Sequence, residues 1–158
     1  MAADTKIIYG YVEKATLVDK GMVLSAKLDT GAKSASLSAA NIRETVRDGK
    51  TYLNFTVLGK KSEMEFTSEY LGKVTIKARE GENSSSKNVS VSLKRPVVLM
   101  SIQIGEKVRK IPVNLTNRKR FNYPLLLGRD AIIAFDGLID PSHAFLIKSE
   151  KVRQNEVK

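Results

Sequence analysis

The chain has 158 residues, no cysteine and a formal net charge of +10, from 27 basic and 17 acidic residues. The lack of cysteine excludes disulfide and thiolate chemistry, and no apolar run is long enough to span a membrane. A hydrophobic content of 42% is typical of a globular protein. The length predicts one domain over residues 1–158, with an ordered core at about 6–148.

The basic residues are scattered, and no recognition-helix, zinc-finger or paired-aromatic pattern accompanies them. We therefore predict no specific nucleic-acid partner and interpret the excess lysine as a soluble surface. Residues 1–5 show no signal-peptide pattern. Because a leader could have been removed, the compartment stays open between cytoplasm and periplasm.

The first predicted elements are two strands joined by a turn. Residues 6–14 alternate weakly and predict a strand in which Gly10 is a bulge or a crossing point. A turn at 19–21 follows. Apolar residues then recur at every second position over 22–28, which is the pattern of a half-buried strand.

A lone aspartate follows this second strand. Asp29 enters a turn of small residues, Thr30, Gly31 and Ala32. The glycine permits a close backbone approach or a positive φ, and the Thr30 hydroxyl can form a local hydrogen bond. A fixed carboxylate with little bulk around it suits a catalytic site, but the same residues are common in ordinary turns and helix N-caps. Taken alone, these residues favour the ordinary turn.

Further short strands are predicted in the first half of the chain. Residues 33–40 are rich in Ser and Ala and predict an irregular segment or a short helical turn. Asp48 and Gly49 form a strong hairpin signal between two of the strands, and Gly72 separates the last two. The predicted strands are 42–46, 52–58, 64–66 and 74–78.

The most loop-like segment of the chain precedes another hairpin. Residues 80–87 consist of polar and small residues that predict a long mobile hairpin tip, or a surface loop with no role. Strands at 97–104 and 108–115 then meet across Gly105. Pro112 in the second of them indicates a sheet edge or a bulge.

The C-terminal part predicts a short buried strand at 125–128, which ends in a glycine, and a short helix that starts at residue 129 or 130. Strands at 137–140 and 144–147 are predicted to complete the sheet, and the charged tail after Lys148 is predicted to fray. Many short strands, turn signals and little helix indicate an all-β barrel or sandwich.

Two segments together resemble the retropepsin-like aspartic proteases, namely Asp-Thr-Gly-Ala at 29–32 and the apolar-apolar-Gly-Arg stretch at 126–129. Residues 7–147 are more closely similar to a bacterial family catalogued as ATP-dependent zinc protease, through several blocks in the same order. The blocks are Tyr9-Gly10-Tyr11-Val12-Glu13, residues 27–37, Lys94-Arg95-Pro96-Val97-Val98, Asn114-Leu115-Thr116-Asn117-Arg118, residues 123–129 and Ile139-Asp140-Pro141-Ser142.

The resemblance implies a closed retropepsin-like (acid protease) barrel with one short C-terminal helix, and an aspartic endopeptidase that acts on a peptide or protein substrate. Such an enzyme needs two adjacent carboxylates that share one proton. The chain holds a single Asp-Thr-Gly. The resemblance therefore implies a homodimer that brings Asp29 from each chain to a two-fold axis.

The resemblance also assigns the site residues. Asp29 is the catalytic carboxylate, and a flap that closes over substrate falls between Gly81 and Lys87. The active-site turn is Thr30, Gly31 and Ala32, and the supporting strand is Leu126, Leu127, Gly128 and Arg129. Viral-type relatives pair this arginine with an acidic residue just after the turn. Because Lys33 and Ser34 stand there instead, Arg129 needs another partner.

We predict no metal and no other cofactor, despite the family's catalogued name. Zinc sites use clustered Cys, His and carboxylates, whereas this chain has no cysteine and only one histidine, His143. No Gly-x-x-x-x-Gly-Lys-Ser/Thr motif is present for nucleotide phosphates. A Ser-His-Asp triad built on His143 would lack a Gly-x-Ser-x-Gly elbow and carries little weight.

Enzymatic activity itself stays open at this point. The alternative is a non-catalytic retropepsin-fold module that binds a peptide or protein by strand addition. A basic nucleic-acid-binding protein is a third and weaker alternative.

Overall fold

The computed structural model describes residues 5–77, 92–117 and 122–148. These residues form ten strands and one short helix. In chain order the elements are β1 (Ile7–Gly10), β2 (Val12–Leu17), β3 (Met22–Leu28), β4 (Ala35–Arg47), β5 (Lys50–Leu58), β6 (Glu63–Lys77), β7 (Ser92–Ile104), β8 (Lys107–Thr116), β9 (Leu125–Leu127), α1 (Arg129–Ala134) and β10 (Gly137–Asp140).

Seven strands pair side by side in a closed ring. The order is β2-β3-β9-β4-β5-β6-β7, and β7 returns to β2 where Leu17 pairs with Ile102. Strand β8 lies antiparallel to β7 and parallel to the first residues of β4. Strands β1 and β10 form a separate parallel pair. The predicted all-β class with one short helix is confirmed.

The interior of the ring is apolar, and β3 shows how the sequence produces it. Met22, Leu24, Ala26 and Leu28 are buried, whereas Lys27 is exposed, as the period-two pattern predicts. The rings of two core phenylalanines on β5 and β6 stack with their centroids 6.2 Å apart. The largest wholly buried side chains are Tyr9, Phe55, Phe66, Phe135, Leu17, Leu37, Leu53, Ile102, Ile104, Leu115, Leu125 and Leu127.

The hairpins predicted at Asp48-Gly49 and at Gly105 are confirmed, and left-handed turn residues explain them. Asp48 and Gly49 have φ values of 49° and 79° and join β4 to β5, as a two-residue type I′ turn requires. Gly105, with φ 60°, connects β7 to β8. Pro112 pairs with Leu99 of β7 on one side. On the other side it has no strand partner among the described residues, because the pairing of β8 with β4 begins only at Val113. The predicted edge position of this proline is therefore confirmed.

The prediction of an irregular segment or helical turn at 33–40 was wrong from residue 35 onward. Strand β4 begins at Ala35, where it pairs with β8, and Leu37 also pairs with β9. Ala35 to Ala39 are all buried, so the segment has no exposed face and shows no alternation. Pairing on both edges overrides the weak strand propensity of Ser and Ala.

Two further strand predictions need correction. The runs 64–66 and 74–78 belong to one long strand, β6, which is interrupted only by a register shift between Tyr70 and Gly72. Gly72 has φ 106°, which suits a bulge. The predicted strand at 144–147 is absent, because this segment is irregular.

A buried carboxylate holds that irregular C-terminal segment in place. Glu13 is wholly buried, and its carboxylate accepts N–H groups from Gly10 at 2.7 Å, Leu146 at 3.0 Å and Ile147 at 3.1 Å. Charge-assisted bonds of this kind are stronger than neutral ones. The Glu13 carboxylate, rather than the predicted strand pairing, therefore holds residues 144–147 against the sheet.

The β1–β10 pair lies where the two ends of the described chain meet. A Cβ on Gly10 would lie 2.5 Å from the carbonyl oxygen of His143, so another chain segment crosses closely there. The single strand predicted over 6–14 is instead two strands, β1 and β2, which belong to different sheets. The Tyr9 hydroxyl donates to the carbonyl of Phe135 at 2.8 Å. Lys107 Nζ lies 2.7 Å from a carboxylate oxygen of Asp136, and this hydrogen bond lowers the pKa of that carboxyl.

The flap predicted between Gly81 and Lys87 and the charged tail after Lys148 lie outside the described residues. Within the described part of the chain, no helix has the length and apolar character that a membrane crossing requires.

Candidate active site

The Asp29 turn follows directly from the end of β3. Leu28, the last residue of that strand, is buried, and the Asp29 N–H donates to the carbonyl of Leu127 on β9 at 2.9 Å. The Asp29 carboxylate accepts the Gly31 N–H at 2.8 Å, and the main-chain carbonyl of Asp29 accepts the Ala32 N–H at 3.2 Å. Two local bonds and one bond to a neighbouring strand therefore fix the position of this carboxylate.

The turn lies at the surface of the single chain. Asp29 and Ala32 are half-buried, and Thr30 and Gly31 are exposed. Gly31 does not have the positive φ that its residue type permits, so its contribution here is the N–H that it donates and the absence of a side chain.

Gly128 allows the second motif to pack against the first. A Cβ on this residue would lie 2.5 Å from the carbonyl oxygen of Ser34 and 2.8 Å from that of Ala32. Both distances are below those that real Cβ atoms adopt, and both neighbours are main chain. The glycine is therefore required by close approach, since its φ of −85° is open to any residue.

The start of α1 completes this packing through main-chain bonds. The Arg129 N–H donates to the Ala32 carbonyl at 2.8 Å, and the Asp130 N–H donates to the Lys33 carbonyl at 3.0 Å. The first N–H groups of a helix have no partner within the helix. Here the residues that follow the Asp29 turn supply carbonyl acceptors, so the helix and the turn form one unit.

Arg129 has the alternative partner that its sequence context requires. Its guanidinium donates to the main-chain carbonyl of Thr30 at 3.1 Å. Lys33, which stands at one of the positions acidic in viral-type relatives, lies 3.7 Å from Asp130 in an ion pair with both side chains largely exposed. Such surface pairs contribute little to stability. The bond from Arg129 to the turn is the more specific contact.

The eight predicted site residues therefore lie in one place. Strand β9 runs beside β3 and β4, where Leu126 pairs with both Lys27 and Ser36. Leu127 is buried beneath the turn, and Leu126 is half-buried. The structure thus brings the two sequence motifs together, and it presents a single turn carboxylate per chain.

The Asp140, Ser142 and His143 side chains form a separate cluster. The Ser142 hydroxyl donates to the Asp140 carboxylate at 2.6 Å, while both residues approach the same ring nitrogen of His143, Nδ1, at 2.9 Å. A catalytic triad instead uses the two different nitrogens of the ring. Hydrogen bonds from Ser142, followed by the bond with His143, lower the pKa of Asp140. The cluster has the geometry of a capped turn.

No group of three or more His, Cys, Asp or Glu side chains within the described ranges is arranged to hold a metal ion. The sequence analysis missed two features. One is the Glu13 clasp, the set of bonds from Gly10, Leu146 and Ile147 to the Glu13 carboxylate. The other is the bond from Arg129 to the Thr30 carbonyl. Glu13 stood in one of the matching blocks, but no sequence signal indicates which main-chain groups a side chain will bind.

These features define a retropepsin-like protein, in which an Asp-Thr-Gly-Ala turn packs on a Leu-Leu-Gly-Arg strand within a β-rich ring. Residues 8–150 match the RimB-like family, described as retropepsin-like aspartic endopeptidase RimB. The chain belongs to this RimB-like family. The predicted superfamily is thereby confirmed.

Curated relatives carry a different name. Proteins named "Probable alpha-L-glutamate ligase" from Shewanella pealeana and Shewanella halifaxensis are each 30% identical, over 150 and 160 residues. The matches cover 92% and 98% of this chain but only 31% and 32% of the relatives. The chain thus spans about a third of their length. Neither name refers to zinc or to a protease.

A solved structure shares both fold and sequence. The protein Lpg0085 of Legionella pneumophila, described as having unknown function, is 56% identical with a TM-score of 0.77. The match covers 91% of this chain and 100% of that one.

Proposed function

We propose that this protein is an aspartic endopeptidase whose two carboxylates come from Asp29 of two identical chains. The observation that carries the proposal is the braced turn, in which Asp29 bonds to Gly31 while Arg129 and Gly128 hold the surrounding loop. Membership of the RimB-like family supports the same reaction class. The proposal requires no metal or other cofactor.

The chemistry would use one proton shared between the two carboxylates. Two like charges in close contact cannot both ionise easily, so one carboxyl stays protonated while the other acts as a base. The base takes a proton from a water molecule as that water attacks the peptide carbonyl, and the acid protonates the carbonyl oxygen. Each Asp29 alone could supply only one of these two roles.

The surface position of the turn supports a site made by two chains. Thr30 and Gly31 are exposed, and Asp29 is half-buried, so a second copy can reach the carboxylate. A two-fold axis through the turn would place identical residues against each other. In such a dimer the small side chains of the turn would let the carboxylates approach.

The supporting residues would position this carboxylate rather than react. Leu126 and Leu127 place β9 beside β3, and Gly128 lets the loop pack closely. Arg129 holds the Thr30 carbonyl. We expect substitutions here to reduce the fraction of correctly formed sites.

The substrate is proposed to be an acidic peptide that contains glutamate. The relatives named probable alpha-L-glutamate ligase carry a region similar to this chain, which suggests that the region acts near glutamyl peptides. The net charge of +10 would favour the approach of an acidic substrate. Cleavage of a glutamate-rich peptide, but not of its glutamine counterpart, would support this assignment.

A non-catalytic binding module is the second candidate. Residues 107–111 of β8 pair with β7 but not with β4, so one edge of this strand has no strand partner within the described residues. An extended peptide could add to it. In the relatives named probable alpha-L-glutamate ligase, a region similar to this chain is only about a third of a longer protein. Such an arrangement is compatible with a binding role for this region.

Comparison of wild type with Asp29→Asn distinguishes the two candidates. Sedimentation equilibrium would give the mass of each, and mass spectrometry would detect cleavage of glutamate-rich peptides. Loss of cleavage with the dimer and peptide binding retained is expected for the endopeptidase. Asp19→Asn is the matched control, since Asp19 is an exposed turn residue. Equal cleavage by both Asn variants, or no cleavage by any form, would contradict the proposal.

A further inference from the structure

A cavity of about 370 Å³ lies between α1 and the strands β6, β7 and β8. At roughly 30 Å³ per water molecule, this volume holds about a dozen waters, which is far more than a packing defect. It also falls within the range of small-ligand pockets, about 300–1,000 Å³. Exposed Lys110 and Asp130 belong to its lining, so the cavity opens to solvent.

The walls of this cavity are mainly aliphatic. Val74 and Val97 line one side, and Ile111, Ala131 and Ala134 line another. The two alanines lie three residues apart on α1, so they share a face of the helix. Their small side chains leave the space that larger residues would fill.

Two of the polar side chains that line the cavity, Asn114 and Asp130, have partners within the protein. The buried Asn114 donates to the Ala35 carbonyl at 2.8 Å, and its side-chain oxygen lies 3.3 Å from an Arg95 guanidinium nitrogen. Asp130 pairs with Lys33. A polar ligand would have to compete with these bonds, whereas an apolar group would gain from leaving water.

The cavity shares a wall with the Asp29 turn but does not contain the carboxylate. Ser34 and Asp130 line it, and the Asp130 N–H is bonded to the Lys33 carbonyl, whereas Asp29 does not line it. Five residues of chain span at most about 18 Å, so Ser34 is within that distance of Asp29. An extended peptide rises about 3.3 Å per residue. A substrate residue within about five positions of the cleaved bond could therefore reach Ser34 at the cavity wall.

We propose that this cavity binds one aliphatic side chain, of leucine size, in the peptide substrate at a position remote from the cleaved bond. The cavity would select substrates by anchoring the peptide, while the Asp29 turn performs the chemistry. This inference rests on the proposed endopeptidase function for the identity of the ligand as substrate. The anchoring itself can be measured without cleavage.

The binding test uses the Asp29→Asn protein and acidic dodecapeptides that differ only in where a single leucine stands. Fluorescence anisotropy should show about tenfold or tighter binding for one leucine position relative to its alanine counterpart. A second substitution, Ala134→Phe, should fill the cavity and remove this preference. Ile133→Phe is the matched control, because Ile133 is the neighbouring helix residue, is 69% exposed and does not line the cavity.

An NMR titration provides a readout that does not depend on peptide design. N-acetyl-leucine methylamide should shift the amide signals of Val97, Asn114 and Ala131 more than the alanine analogue does, and Ala134→Phe should abolish the difference. Unchanged signals at these residues, or equal affinity for every leucine position, would overturn the inference.

The outcomes separate the two proposals. Leucine-dependent binding without cleavage by wild type would contradict the endopeptidase assignment and leave the cavity as a binding site. Cleavage that ignores both the leucine position and Ala134→Phe would overturn the cavity assignment alone.

Discussion

At the scale of single residues, Gly128 gives the sharpest test of the candidate site. Its Cα lies so close to the Ser34 and Ala32 carbonyls that a methyl group has no room. Gly128→Ala should therefore destabilise the protein by about 3 kcal/mol, since forced overpacking costs in this range. Urea unfolding would measure the change.

The control for Gly128→Ala is Gly21→Ala. Gly21 has φ 66° and open space around its Cα, so only the left-handed conformation is penalised, by about 1 kcal/mol. Equal losses for the two variants would contradict the close-approach argument.

Tyr9 predicts how stability depends on alkaline pH. Burial, reinforced by the Asp136 carboxylate, raises the pKa of Tyr9 to about 12 from its ordinary value of 10.0. Because the folded pKa is the higher one, this contribution is complete below pH 10 and is lost as the pH rises to about 12. A two-unit shift corresponds to roughly 2–3 kcal/mol.

The pH effect is isolated by comparison with Tyr9→Phe. Urea unfolding of both proteins between pH 9 and pH 12 should show the difference between them shrinking or reversing as Tyr9 ionises in the unfolded state. A constant difference across this range would show that the folded and unfolded pKa values of Tyr9 are equal.

The residues of the Asp29 turn were predicted from the sequence, but only some of their hydrogen bonds were. The pairing of Asp29–Ala32 with Leu126–Arg129 was implied by the resemblance to the retropepsin-like aspartic proteases. That Arg129 needs a new partner followed from Lys33, but the partner is a main-chain carbonyl, and every residue has one. Such an acceptor becomes visible only when the fold places it within reach.

At the scale of elements, the irregular segment 144–147 depends on Glu13. Replacing its carboxylate, which accepts three N–H groups, with the amide of Glu13→Gln leaves one neutral acceptor oxygen. We expect the free energy of unfolding to fall by about 2–4 kcal/mol, because N–H groups that are buried or partly buried lose their partners. Hydrogen exchange at Leu146 and Ile147 should accelerate more than exchange in β5.

The matched control for the Glu13 clasp is Glu44→Gln, since Glu44 lies on an exposed part of β4. Its free energy of unfolding should lie within about 0.5 kcal/mol of the wild-type value. If Glu13→Gln is equally mild, the clasp does not stabilise the C-terminal segment.

The elements that were predicted correctly and those that were not differ in burial. Strand β3 has one buried and one exposed face, so its alternation is visible in the sequence. The first residues of β4 are buried on both faces, and serine and alanine there carry no strand signal. The sequence analysis predicted two strands in place of β6, because a glycine at a bulge, here Gly72, has the same sequence signal as a glycine in a turn. The C-terminal segment was assigned to a strand because apolar residues alone cannot distinguish pairing from a side-chain clasp.

At the scale of the whole molecule, the proposed endopeptidase requires two chains that meet at Asp29. One chain presents one braced, half-buried carboxylate at its surface, and the proposed chemistry needs two. The dimer accordingly belongs to the catalytic proposal itself, and a folded monomer should cleave nothing.

Mixing wild-type protein with Asp29→Asn tests this claim most directly. At concentrations where all chains pair and exchange, a mixed dimer would hold only one carboxylate. Activity per wild-type chain should then fall to about half at equal mixing and to about a tenth with nine parts of the variant, as random two-fold pairing requires. Activity per wild-type chain that stays constant at every ratio would show that each chain acts alone and would contradict the proposed two-chain site.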